Sequence, residues 1–216
     1  NKISLDEYAC GLIDFEFPID TPFPCFPIKD DQGRGLIFPL KGRTWASSPE
    51  IVLARKLGAK MKLVNLPCSV VPMAGNDFGE VVKVLIEKRE LAKQRFGKKS
   101  IPDLLLKELS NSLYGKLGQG LSGKRSFSTR KRKTQETPFS QITMPFMASY
   151  VTSFTRACVT AAMTELVQKG YRIASVTTDG FLSDAPPEVV FNLDAFGFGG
   201  LYRQLRYHVV GKKEMF

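Results

Sequence analysis

From Leu12 to Pro18 the chain reads L-I-D-F-E-F-P, an alternation with a period of two that predicts a strand. Pro22, Pro24 and Pro27 interrupt the segment after it, and Gly35 to Leu40 predicts a second strand ended by Lys41-Gly42. Ser48-Pro49-Glu50 opens a short helix that runs to about Leu57 and stops at Gly58. Lys60 to Val64 and Cys68 to Val71 predict further strands. At Asp77 the period changes to that of a helix: Asp77 and Glu80 suit a capping box, and Phe78, Val81, Val82, Leu85 and Ile86 form the apolar stripe. Phe96-Gly97-Lys98-Lys99 is a tight connection to a second helix, marked at its start by Ser100-Ile101-Pro102-Asp103 and ended by Gly115, Gly118 and Gly120. Its expected buried stripe is Leu104, Leu105, Leu109 and Leu113, and two helices joined so closely pack antiparallel. A long helix comes next, from Pro145 to Gly170, with Ala148, Val151, Phe154, Ala157, Cys158, Ala161 and Leu166 on its apolar face. Ile173 to Leu182 then reads as strand, turn and strand, with Thr177-Thr178-Asp179-Gly180 at the bend.

The 216 residues suffice for one or two domains, and 43% apolar with 24% charged residues is ordinary for a folded protein. No apolar run approaches the ~20 residues of a membrane span, and no signal peptide opens the chain, so no membrane partner is expected. Cys10, Cys25, Cys68 and Cys158 are dispersed and His208 is the single histidine, which argues against a zinc site and for reduced thiols. The chain begins at Asn1 and stops at Phe216, as a piece of a longer protein would. A formal charge of +10 favours a polyanionic partner.

Three sets of residues carry candidate chemistry. Lys107, Asn111 and Tyr114 fall at i, i+4 and i+7 and share one helix face, an ammonium, an amide and a phenol ring suited to a nucleotide. Arg89 and Lys93, at i and i+4 on the preceding helix, are expected to face Lys107 across the helical hairpin, so that three cations converge in a phosphate site. Lys124, Arg125, Arg130, Lys131, Arg132 and Lys133, with Phe127 between them, read either as a solvated loop or as one that tracks a nucleic-acid backbone.

The run Lys107 to Gly115, K-x-x-x-N-S-L-Y-G, resembles motif B of the family B DNA polymerases. Ser149 to Arg156 resembles the I-T-x-x-x-R element that comes after it, which adds Arg156 to the expected DNA contacts. Residues 175–180, S-V-T-T-D-G, stand where that family has Y-x-D-T-D-S on a hairpin tip. Asp179 matches the second aspartate, the metal ligand, whereas Thr177 and Gly180 depart from the first aspartate and the serine. Motif A, D-x-x-S-L-Y-P, is not found: Asp14-Phe15-Glu16-Phe17-Pro18 lacks the Ser-Leu-Tyr, so motif A is expected upstream of Asn1. Tyr8 to Gly58 is similar to the region between motif A and the fingers in the plasmid, viral and organellar type, the protein-primed branch. The basic stretch after Gly118 occupies the place of that branch's insertion between motifs B and C.

The resemblance implies an α+β fold with an antiparallel palm sheet, packed helices and a two-helix fingers hairpin. It implies residues 1–72 between motif A and the fingers, 73–118 as fingers with motif B, and 119–216 as palm with motif C. It further implies template-dependent nucleotidyl transfer by two-metal catalysis, with Lys107 and Asp179 as catalytic groups. Arg89, Lys93, Lys107, Asn111 and Tyr114 would hold the nucleotide, and Asp179 would hold Mg2+, with Mn2+ as a substitute. The implied partners are DNA template and primer and deoxynucleoside triphosphates, with a terminal priming protein as an option in this branch. The implied location is the cytoplasm, or the organelle or virus-infected compartment that hosts the replicon. The alternative is a non-catalytic nucleic-acid-binding relic of a polymerase, for which Thr177 and Gly180 are the motive.

Overall fold

The computed structural model describes residues 7–30, 32, 35–64, 69–72, 77–121 and 123–200. In chain order its elements begin with β1 (Glu7–Glu16), β2 (Ile28–Lys29), β3 (Leu36–Ile37), β4 (Lys41–Ser47) and α1 (Ser48–Lys56). They continue with β5 (Lys60–Leu63), β6 (Ser69–Pro72), α2 (Asp77–Phe96) and α3 (Ile101–Leu117). Then come β7 (Arg125–Ser128), β8 (Lys133–Glu136), α4 (Pro145–Gln168), β9 (Ile173–Val176), β10 (Phe181–Ser183), α5 (Pro187–Phe191) and a 3-10 turn at Ala195–Gly197. Every sheet among the described residues is antiparallel, as the α+β expectation requires. The described residues form two compact units, residues 7–72 with 150–200, and residues 77–149. The boundary near 149/150 does not coincide with the expected division at 118/119.

In the first unit β1 is the central strand. Its one edge pairs with β4 from Cys10↔Ser47 to Glu16↔Lys41, and its other edge with β5 and then β6. Alternation buries Ala9, Ile13 and Phe15, and Phe17 continues the same face. Phe15, Phe17 and the fully buried Phe26 form a ring cluster with centroids 4.9–5.7 Å apart, within the range at which aromatic pairs attract. Ile51, Leu53 and Ala54 of α1 and Ala157, Ala161 and Leu166 of α4 complete the core. Val151, expected on the apolar face of α4, is instead exposed.

The strand expected over Gly35 to Leu40 is confined to Leu36–Ile37, because Pro39 lacks the N–H that a ladder needs. Lys41-Gly42, expected to end a strand, begins β4. Gly42 lies opposite Phe15, and a Cβ there would come within 2.3 Å of Ile28 Cδ1, so a larger residue would require the end of the Ile28 side chain to move. Cys68 and the side chain of Asp77, and with it the capping box, lie outside the described residues.

Arg156 of α4 donates from Nε to Oε1 of Glu50 at 2.7 Å, joining residues 106 apart in sequence. Glu50 is 1% exposed, and burial pushes its carboxyl above the ordinary glutamate range while the Arg156 charge opposes that rise. The Nε of the guanidinium expected on DNA is thus engaged by a buried carboxylate inside the sheet unit. Arg156→Ala would leave Glu50 buried and unpaired, at a cost of roughly 3 kcal/mol in equilibrium unfolding at neutral pH. A buried acid with a raised pKa favours the folded state when protonated. The deficit should therefore narrow as pH falls towards 4.5, the ordinary glutamate value, and melting curves from about pH 5 to 8 would measure it.

Candidate functional site

In the second unit α2 and α3 form an antiparallel hairpin, but the face that α3 buries is not the leucine stripe. Leu104, Leu105 and Leu109 are 46–59% exposed, whereas Asp103 and Leu117 are buried and Leu106, Ser110 and Leu113 half-buried. On α2 Val81 also faces outward, and Ala92 is the buried residue. The rotation of α3 reflects a polar contact. Arg89 donates from Nε to Asp103 Oδ1 at 2.7 Å, and the Lys99 backbone N–H reaches Oδ2 at 2.9 Å. The Arg89 guanidinium holds the Asp103 carboxyl below the usual aspartate range. Ser100 occupies the N-cap position without a side-chain cap bond, and Asp103 instead accepts from the N–H of Lys99, the residue before the cap.

The expected convergence of three cations is therefore not what the side chains form. Arg89 is bound to Asp103, and Lys93 Nζ lies 2.6 Å from Glu90 Oε1 on its own helix. Lys107, Asn111 and Tyr114 are exposed on a common face of α3, and Lys107 has no acidic partner among the described residues. The signal for Arg89 was present in sequence as Asp103, which read only as a helix-start acid.

The far end of α3 carries the basic stretch. Ser140 Oγ donates to the Lys116 carbonyl at 2.7 Å and the Met144 N–H to the Leu117 carbonyl at 2.9 Å, satisfying acceptors that a helix end leaves open. Gly120, at φ +85, has Phe139 backbone atoms 2.9–3.0 Å from where a Cβ would stand, so the two ends of the insertion close on a glycine. Between them the stretch expected as a loop is a β-hairpin, β7 with β8, in register Arg125↔Glu136 to Ser128↔Lys133. Arg130, Lys131 and Arg132 occupy its turn, and Phe127 is 63% exposed. Lys124, Arg125, Arg130, Lys131, Arg132 and Lys133 have no acidic partners among the described residues, so the hairpin presents six free charges to any polyanion.

In the first unit β9 and β10 pair through Phe181↔Val176. The Thr177 N–H donates to the Gly180 carbonyl at 2.8 Å and the Thr177 hydroxyl to the same oxygen at 3.1 Å, leaving Thr178 and Asp179 at the tip. The expected bend is there, but Gly180 keeps an ordinary φ, so the hairpin does not use the left-handed glycine that an Asp-Gly turn signals. A Cβ on Gly180 would meet only Thr177 Oγ1, at 3.6 Å. Asp179 is exposed and unpaired among the described residues. Asp184 instead takes both the N–H and the Nε of Arg172, at 2.8 and 3.0 Å, and these donors hold its carboxyl below the usual range.

Known proteins resemble this chain in sequence and in fold. A primer-independent DNA polymerase, PolB, of Escherichia coli is 40% identical over 192 residues, which cover 84% of this chain and 22% of that protein. The structure of Phi29 DNA polymerase with primer-template DNA and incoming nucleotides shares the fold at a TM-score of 0.54 and 15% identity, over 85% of this chain and 33% of that one. Its binary complex with primer-template DNA gives 0.55 at 16% identity, over 88% and 34%. Residues 3–178 match the model of type B DNA polymerases, organellar and viral, and the chain belongs to that family.

Proposed function

We propose that this chain works as part of a DNA-directed DNA polymerase that carries out template-dependent nucleotidyl transfer. The observation that carries this reading is the free, exposed face of Lys107, Asn111 and Tyr114 within a chain of this family. The ammonium of Lys107 would bind the triphosphate of an incoming deoxynucleotide, and Asn111 and Tyr114 would line its pocket, with the phenol ring near the sugar. On this reading α2 and α3 are the fingers, and the sheet unit with the β9–β10 hairpin is the palm. Residues before α2 are then the segment that comes after motif A. The β7–β8 hairpin would run along the backbone of template or primer, where unpaired cations gain most from counterion release.

Among the described residues no three His, Cys, Asp or Glu side chains gather into a metal cage. Asp179 offers one free carboxylate, which fits a single hard-oxygen ligand to Mg2+ or Mn2+. A full two-metal site needs a second carboxylate, for which a D-x-x-S-L-Y-P motif in the rest of the polymerase is the candidate. When bound, the ions supply the charge that stabilises the phosphoryl group in transit. Asp179 would hold its ligand position on a tip that Thr177 closes.

Thr177 and Gly180 also favour a second reading, a non-catalytic nucleic-acid-binding relic. A broken motif A in the rest of the protein would support the relic, and an intact one the enzyme.

Lys107→Ala in the polymerase that carries this chain should raise the apparent KM for nucleotide about tenfold or more, since a charge-assisted phosphate contact contributes ~1.5–3 kcal/mol. Unchanged steady-state kinetics would contradict the assignment. Replacing the six cations of the hairpin by neutral residues should weaken DNA binding and lower the log–log salt slope by ~0.7–0.9 for each phosphate that is no longer neutralised. An unaltered slope would leave the hairpin merely solvated.

A further inference from the structure

The Arg89–Asp103 pair lies one helical turn before Lys107 on α3, where the helical hairpin closes. Both oxygens of Asp103 are used, one by the Arg89 guanidinium at 2.7 Å and the other by the Lys99 N–H at 2.9 Å. Asp103 is 4% exposed, while Lys99 stands at φ +64, a left-handed conformation that residues with a side chain disfavour. Asp103 thus fixes the turn between the helices and the rotation of α3 against α2 through one carboxylate. Lys107 lies one turn further along, at i+4 from Asp103, and Asn111 and Tyr114 continue the row. Rotating α3 to bury the leucines instead would carry the whole row away from its present direction.

We propose that Arg89 and Asp103 form a clamp that positions Lys107, Asn111 and Tyr114, so that Arg89 serves nucleotide binding without touching the nucleotide. The proposal rests on the reading of that row as the nucleotide face. The clamp stays charged at neutral pH, because the guanidinium beside Asp103 favours its ionised form. It also explains why a buried acid replaces leucine on the packed face of α3. Of the Arg89 donors, Nε is the one that Asp103 engages, so a direct phosphate role would fall to the Nη groups and would not depend on the carboxylate.

The two roles predict opposite results for Asp103→Asn, a change that keeps the side chain's shape. If Arg89 is a clamp, Asp103→Asn and Arg89→Ala should each raise the KM for a deoxynucleoside triphosphate several-fold, with kcat and DNA affinity changed less. The double variant should be no worse than either single one. If Arg89 were a direct phosphate ligand, freeing it with Asp103→Asn would leave KM unchanged or lower it, while Arg89→Ala would still raise it; that result overturns the clamp. Additive effects of the two substitutions overturn it as well. So does a fall in kcat and melting temperature with KM unmoved, the mark of a structural role alone. Lys107→Ala, assayed beside them, separates the two levels. A KM effect at Lys107 with none at Asp103 removes only the clamp, and no effect at Lys107 removes the nucleotide face on which it rests.

Discussion

A carboxylate that water cannot reach must be paired or neutral, and Glu50 imposes that constraint on the sheet unit. It sits in the first turn of α1, directly after β4, the strand that borders β1. Its partner Arg156 lies in the middle of α4. The pair therefore fixes a helix from late in the sequence onto a sheet built from its first third. The Cys25 thiol donates to the Glu50 carbonyl at 3.4 Å, and burial raises its pKa, so the same place is closed by a group unsuited to charge. The axis of α4 then sets where β9 and β10 begin, and with them the tip that presents Asp179.

The second unit is governed in the same manner by Asp103. In both units an acid within the first three residues of a helix, of the kind that usually interacts with the helix dipole, has instead been turned inward and given an arginine. Each pair costs desolvation and returns orientation. Lys107 in one unit and Asp179 in the other are exposed and have no ion-pair partner among the described residues. Buried charges specify the scaffold and free charges remain for ligands. The Thr177 hydroxyl is likewise spent on the scaffold, since it donates to the Gly180 carbonyl and closes the hairpin turn.

What was legible in the sequence was local. The alternation around Ile13 and Phe15 gives β1, the Ser48-Pro49-Glu50 start gives α1, and the run from Pro145 gives α4 within two residues of its observed end. The spacing i, i+4 and i+7 named the exposed face of α3 correctly, because it fixes which side chains share a side, whatever the helix packs against. What the helix buries is a tertiary matter, and there the leucine stripe misled: three leucines point outward because Asp103 and Arg89 decide the rotation. The partners of Arg89 and Arg156 could not be read from spacing, as the acids lie 14 and 106 residues away. The β7–β8 hairpin was missed for a different reason: its strands have only four residues each, of which Phe127 alone is apolar, so no alternation marks them.

Asp179 bears most directly on the polymerase reading. Single-turnover incorporation by the polymerase that carries this chain, with Mg2+, primer-template DNA and one deoxynucleotide, should fall to nearly nothing on Asp179→Asn, because a neutral amide is a poor ligand for the ion. Binding of the DNA should persist, since the hairpin cations are untouched. Incorporation by that variant at the unsubstituted rate would contradict the reading and reduce the Thr177–Gly180 bend to a turn.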